Sequence, residues 1–366
     1  MNNFYKILGL ICTSILMDTA VLPKKSSSDA IQLMKADNFA LSDEFRGNFN
    51  LALKTYFQEI CINPNFSKIR FYKGGELTNW SGLPGVSKWK GESLENKTIY
   101  VDAEKTCSTD DALLFVRFLP LLFREGAKVY VKFSSELQDL FFDKELMAKI
   151  VRQDDEISGI KFDYFTSIMS IPHYWQVDLG FACGVPINIC VDAKRLEELK
   201  SKYFKNNKLK IGICWKCSLE HKDRDRHSLD FKYFEKIAKI DGVKIYSLQQ
   251  GDEDLFRDQS KPEWLEDLSS INKTLSDFTA IIKNLDIVIT TDGIIPHLSC
   301  MLGKSTWLFL PNITEWKWFC YAEKDSSIWY ENLHKFNKED LVLCDFISDL
   351  VVKRLNDDAV KVLIKD

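Results

Sequence analysis

A strand, a helix and another strand follow one another twice along this 366-residue chain, and that rhythm narrows its fold more than any other feature. In the first series KTIYVDA reads as a strand, DDALLFVRFLPLLFREG as a helix, AKVYVKF as a strand, SELQDLFF as helical and FDYFTSI as a strand. The second series runs through the strand LKIGICW, the helix DFKYFEKIAKI, the strand VKIYSLQQ, the helix SDFTAIIKNL, the strand DIVITT, the helix IIPHLSCMLG and the strand STWLFLP. Strands that alternate with helices must cross over between neighbours, and this produces parallel sheets covered on both faces. The expectation is two doubly wound α/β halves. The charged stretch AKRLEELKSKYFKNNK is their junction, and a cleft between them is the place for a ligand.

In front of these halves, residues 28–62 have helical apolar spacing on either side of RGNF, which predicts a helical hairpin. The expected boundaries are an N-terminal helical segment over 1–64, a first α/β domain over 65–195, a second over 205–335 and a closing helix over 336–366. The apolar run at residues 7–22, behind Lys6, has the length of a signal peptide but no clear cleavage pattern, and Asp18 sits near its end. It reads either as a targeting or membrane-associated segment or as a helix packed on the body.

Composition removes several classes. With 45% hydrophobic and 28% charged residues the chain has the material for sizeable cores. A net charge of -4 argues against a nucleic-acid binder, which carries a basic face. The 10 cysteines have no small-scaffold spacing and read as reduced, mostly buried thiols.

Three places carry residues suited to chemistry. In ITTDGIIPHL, Asp292 and Gly293 fall where a strand ends and a helix begins, with His297 on the first turn. The first N–H groups of a helix lack partners and its dipole is positive there, which suits a phosphate. Asp292 as a cap with a structural His297 is the competing reading. In CWKCSLEHKDRDRHSL, the residues Lys216, His221, Lys222, Arg224, Arg226 and His227 gather after a strand, suited to an anion such as a diphosphate. The carboxylates Glu220, Asp223 and Asp225 offset much of that charge, so a solvated mixed loop is equally consistent. Cys214 and Cys217 there form Cys-x-x-Cys, but Cys214 lies within a strand, whereas a redox pair normally starts a helix. In VDAEKTCSTDDALLF, the carboxylates of Glu104, Asp110 and Asp111 stand at a strand-to-helix turn where one could act as a general base, and helix N-capping by Thr109, Asp110 or Asp111 is the competing reading. Trp316 and Trp329, after the last strand, offer faces for a base or sugar, or for wedging the halves together.

In order, WKGESLENKTIYVDAEKTCSTDDALLFVRFLPLLFREGAKVYV, KIGICWKCSLEHKDRDRHSL and DIVITTDGIIPHLSCMLGKSTWLFLPNITEWKWF resemble the bacterial glycosyltransferases that follow tetratricopeptide repeats. Those are heptosyltransferase-like enzymes of GT-B architecture, two Rossmann-like doubly wound domains facing a cleft. The resemblance spans roughly residues 45–335, and RGNFNLALKTYF looks like a last half-repeat. It implies transfer of a sugar from a nucleotide-diphosphate donor, with inversion and without a metal. The catalytic candidates it implies are Asp111 as base, aligned through FVRFLP, and His297 beside the diphosphate. Donor contacts fall on Lys216, Arg224, Arg226, Gln249, Asp292, Gly293, Ile294 and Trp316. The acceptor is a glycan, a lipid-linked species or a protein. No cofactor is implied beyond the co-substrate nucleotide sugar. Such a donor places the expectation in the cytoplasm, with residues 7–22 available for peripheral contact with the inner membrane.

The chain also departs from that family. Its two glycines in the first loop are missing, the loop is about two residues longer, and Gly293 stands where the family has a threonine. The alternative reading is therefore a degenerate GT-B module that binds a nucleotide sugar or a partner without turnover. An epimerase or hydrolase on the same architecture is a lesser one.

Overall fold

The computed structural model describes residues 83–171, 187–217, 227–249, 261–271, 274–311, 318, 327, 329–338, 348–349 and 351–353. The expected N-terminal hairpin, the apolar run at 7–22, and Lys222, Arg224, Arg226 and Trp316 lie outside the described residues. Of the closing helix expected over 336–366, residues 348–349 and 351–353 are helical, whereas 336–337 end a strand.

Two parallel sheets form the protein, in accord with the expected pair of α/β domains. The first contains β1 (Ser87–Lys88), β2 (Thr98–Ala103), β3 (Lys128–Phe133), β4 (Lys149–Ile150) and β5 (Tyr164–Ser167), in the spatial order β1-β5-β2-β3-β4. The second contains β6 (Leu209–Cys214), β7 (Val243–Ser247), β8 (Leu265–Asp267), β9 (Ile287–Thr290), β10 (Ser305–Leu310) and β11 (Leu333–Asn337), in the order β11-β10-β9-β6-β7-β8. Counted from its own first strand, the second sheet has the order 3-2-1-4-5-6 of a dinucleotide-type fold. The chain leaves β6 in one direction to build β7 and β8 and returns to its other side for β9. Crossovers on opposite faces therefore part at the carboxyl ends of β6 and β9. The first sheet has its own parting between β2 and β5.

Burial explains why these runs are strands. All four residues of β9 are buried, as are the last five of β10, because helices cover both faces of a parallel sheet. Gly212 in β6 leaves room for Leu285 and Leu248, which occupy the space a side chain would take. Gly212→Ala is expected to destabilise the fold by about 1–3 kcal/mol through overpacking, as read from the urea midpoint.

Four strands are absent from the sequence expectation: β1, β4, β8 and β11. All are short or edge pieces. In β11 only Leu333 is buried, so LHKFN has no apolar alternation to read. The boundary expected at 335 consequently cuts a strand that belongs to the second sheet. The long helix expected over 110–126 is instead α1 (Thr109–Phe115), a tight turn (Val116–Phe118) and α2 (Leu119–Arg124). Pro120 sits in the first turn of α2, where its missing N–H costs nothing, and the helix restarts there.

The charged junction is a docked helix, α3 (Ala193–Tyr203), capped by the Asp192 carboxylate, which accepts from the Lys194 and Arg195 N–H groups. Arg195 ties it at 2.8 Å to Asp277 on α5 (Leu275–Lys283). Among the described residues, the second half also contains α4 (Tyr233–Ala238) and α6 (Ile294–Met301). Helices α1 and α6 pack on one another, and a single apolar cluster runs from Trp89 to Leu333 through both halves.

Candidate functional site

The parting of crossovers in the second sheet is framed by the ends of β6 and β9. Beyond β6, the backbone of Lys216 is held on both sides by Gln249, just past β7. The Gln249 carbonyl accepts from the Lys216 N–H at 2.9 Å, and its amide donates to the Lys216 carbonyl at 3.3 Å. The two thiols of Cys-x-x-Cys point inward. Cys214 donates to the Gln249 carbonyl at 3.5 Å and Cys217 to the Asp292 carbonyl at 3.6 Å. They tie three strand ends together, and that role accounts for their spacing.

The chain that leaves at 217 returns at 227 and is stitched to its own exit. Leu229 donates its N–H to the Trp215 carbonyl at 2.6 Å, and the Cys217 N–H donates to the Ser228 hydroxyl at 3.3 Å. Beside this stitch lies a cavity of about 410 Å³ lined by Lys216, Ser228, Leu229, Asp230, Tyr233 and Lys338. Lys338 follows β11 and reaches across to donate to the Ser228 carbonyl at 3.0 Å. Among the described lining residues the one carboxylate is Asp230, paired with Lys232 at 2.6 Å, whose hydrogen bond holds its carboxyl below the ordinary range. Among the described residues, two lysines against one carboxylate that is already paired make this part of the wall cationic. Of the expected donor residues, Lys216 lines this cavity, whereas Gln249 holds the Lys216 backbone in place. Lys338 was not singled out from the sequence, because it is 122 positions from Lys216 and belongs to the strand that the periodicity hid.

At the end of β9, Asp292 is 8% exposed, and its Oδ1 accepts from both the Gly293 N–H and the Trp318 indole N–H at 2.7 Å. Gly293 has φ 137° and ψ −154°, open only to glycine. Ile294 is half-buried on the first turn.

His297 is where the expectation changes. Its ring is 0% exposed. Nδ1 lies 2.9 Å from the Tyr330 hydroxyl, and the ring stacks on Trp318 at 5.0 Å and 27°. A ring enclosed in this way does not face an anion at the helix start, so the expected direct contact with a diphosphate gives way to a packed, bridging ring. The physical reason is that two aromatics from segments distant in sequence close over the first turn of α6.

At the parting in the first sheet, Asp111 is half-buried in the first turn of α1. Its backbone N–H donates to the Ser108 hydroxyl at 3.3 Å, and that hydroxyl lies 2.8 Å from Asp111 Oδ2. The N-cap is therefore Ser108, one position before the caps the sequence offered at 109–111, and the Asp111 carboxylate accepts from its hydroxyl. The loop before α1 is fixed by three further bonds. The Lys105 N–H donates to Asp102 Oδ1 at 2.7 Å, the Thr106 hydroxyl to the Asp102 carbonyl at 2.7 Å, and the Ser167 hydroxyl to Thr106 at 2.9 Å.

Asp102 was missed from the sequence. It is 1% exposed at the carboxyl end of β2. Burial pushes its pKa from 3.8 to about 6, against the opposing Lys105 N–H and with help from the Glu104 charge. A carboxylate ending an otherwise apolar strand was the available signal. The native state holds a proton that the unfolded chain releases between pH 3.8 and 6, so the stability due to neutral Asp102 is lost as pH rises through that window. Asp102→Asn keeps the acceptor for Lys105. Its stability relative to wild type, from urea unfolding at stepped pH, is expected to rise by about 3 kcal/mol between pH 3 and 7.

The fold and site together define a two-sheet parallel α/β protein with a cationic cavity beyond the strands of its second sheet. No family model and no curated protein matches the sequence. Among solved structures, the chain is similar to E. coli ADP-heptose lps heptosyltransferase II, with TM-score 0.48 and 9% identity over 71% of this chain and 99% of that one. It is similar to TibC, an iron-containing dodecameric glycosyltransferase from enterotoxigenic E. coli H10407, with TM-score 0.46 and 11% identity over 73% and 78% of the two chains. It is also similar to a family 9 glycosyl transferase from Veillonella parvula DSM 2008, with TM-score 0.45 and 11% identity over 67% and 86%. Among the described residues, no helix is long and apolar enough to cross a membrane.

Proposed function

We propose that this protein is a glycosyltransferase that moves a sugar from a nucleotide-diphosphate donor to an acceptor hydroxyl. The observation that carries this reading is the cavity walled by Lys216 and Lys338 at the root of the basic loop, beside the parting of β6 and β9. The three motif stretches that resemble the tetratricopeptide-linked glycosyltransferases support it. In this reading the donor diphosphate lies against the two ammonium groups, and Arg224 and Arg226 are further donor contacts.

The chemistry follows from charge. Breaking the bond between the anomeric carbon and the diphosphate oxygen puts negative charge on the leaving group, and fixed cations nearby stabilise that charge most in the transition state. Lysines and arginines supply this compensation in place of a metal ion. Asp111 takes the proton of the acceptor hydroxyl as its oxygen attacks the anomeric carbon from the face opposite the diphosphate, which inverts that centre. Asp111 and the second half are brought near one another by the packing of α1 on α6. His297 acts behind this site, through the rings that enclose it. The acceptor is a glycan, a lipid-linked species or a protein, met in the cytoplasm where nucleotide sugars are made.

Thermal shift against ADP, UDP, GDP and dTDP tests the reading. One of them at a hundred times its Kd is expected to stabilise the protein by about 2.7 kcal/mol, which raises Tm by several degrees. A flat response to all four at millimolar concentration would overturn it.

A further inference from the structure

One group in the first half reaches the donor side of the second. Arg117, in the turn between α1 and α2, is buried, at 6% exposed. Its Nε donates to the Leu114 carbonyl at 2.8 Å and its Nη1 to the Trp329 carbonyl at 2.7 Å, across the two halves. The guanidinium lies 4.6 Å from the centre of the Tyr330 ring. From there the contacts continue without interruption. The Tyr330 hydroxyl meets His297 Nδ1 at 2.9 Å, the His297 ring stacks on Trp318, and the Trp318 indole donates to Asp292 Oδ1 at 2.7 Å.

Every side chain in that series is buried. Water cannot stand in for a broken link, and polar groups in a low-dielectric interior polarise one another along the chain. Packed rings of this kind have discrete arrangements rather than a continuum. A shift of the first half against the second must therefore either break the Arg117 contacts or carry Tyr330 with it. A moved Tyr330 disturbs His297, and through Trp318 the carboxylate that closes the end of β9.

We infer that Arg117 is a positioning residue that fixes Asp292, and with it the Gly293 turn into α6, from the opposite half of the protein. The ring of His297 is the central link, which gives a buried histidine on a helix start a reason to be there. The consequence for donor binding rests on the proposed function; the mechanical link does not. Binding and position are reciprocal: whatever orders the first half around α1 strengthens the anion site in the second, and the converse holds to the same degree.

The test reads Trp318 directly. The indole N–H resonances of protein labelled with ¹⁵N-tryptophan are compared in wild type, Arg117→Met and Tyr330→Phe, with Trp318→Phe to assign the signal. Arg117→Met keeps roughly the length of the side chain and leaves Trp318 and Asp292 themselves unsubstituted. It is expected to move the Trp318 indole signal and raise its solvent exchange at least tenfold, while Trp215 and Trp307, in a separate core cluster, stay as they are. Arg117→Lys, which retains the charge, restores part of the protection. Tyr330→Phe removes one hydroxyl and carries the same test if Arg117→Met does not fold. An unchanged Trp318 signal in a folded variant overturns the inference, and so does a response of Trp215 and Trp307 as large as that of Trp318. In parallel, the Kd for inorganic pyrophosphate is measured by calorimetry and is expected to rise about fivefold in Arg117→Met, a coupling of ordinary size. Wild type that does not bind pyrophosphate would count against the proposed function, while the Trp318 signal would still decide the link. Binding that is equal in both proteins would overturn the functional consequence of the link.

Discussion

Lys216→Met combined with Lys338→Met is expected to lower nucleoside-diphosphate affinity by about 10²- to 10⁴-fold, because each ammonium–phosphate contact is worth about 1.5–3 kcal/mol. Methionine keeps the length of the stem and removes the charge. The two lysines reach the cavity from different strand ends, β6 and β11, so neither is a mere neighbour of the other along the chain. The fold should tolerate both changes. The Lys216 backbone remains held by Gln249, and Ser228 keeps its bond from the Cys217 N–H when the one from Lys338 to its carbonyl is lost. Calorimetric titration at two salt concentrations checks the result: wild-type affinity falls as salt rises, and the double variant loses most of that dependence. Equal affinities for wild type and variant would remove the cavity from the donor site.

Asp111→Asn is expected to lower turnover by about 10²- to 10⁴-fold with donor affinity unchanged, since a positioned general base contributes on that scale. The substitution is mild for the fold. The asparagine carbonyl can still accept from the Ser108 hydroxyl, and the backbone N–H of residue 111 keeps its bond to Ser108, so the cap on α1 survives. Product formation from the donor identified by thermal shift, with binding measured separately, gives both quantities. The degenerate-module reading makes the opposite forecast, in which the variant equals wild type because neither turns over. The missing glycines of the first loop give that comparison its interest. Asp102, Thr106 and Ser167 hold the loop in place by side-chain bonds instead, so the departure from the family leaves an ordered loop.

Much of the architecture was legible along the chain. The strands from KTIYVDA to STWLFLP lie where their apolar runs put them, because a strand buried on both faces needs no more than a local run of β-branched and aromatic residues. β4, β8 and β11 were not legible, because a short or edge strand is defined by the neighbour it pairs with. The site divides in the same way. Lys216 and Asp292 stand at strand ends that the alternation already located, whereas Lys338 joins Lys216 only once β11 has paired with β10.

Local pattern by itself determined two series of crossovers, and with them two parallel sheets and the strand ends where a ligand meets the chain. Only tertiary structure decided what became of the ionisable groups at those ends. His297 reads as an open ring until Tyr330, 33 residues on, and Trp318 close over it. Asp102 reads as an ordinary carboxylate until burial takes it from water and raises its pKa to about 6. Periodicity records which face of an element is apolar; whether a polar group on that element meets water, a cation or an aromatic ring depends on segments far away in the chain.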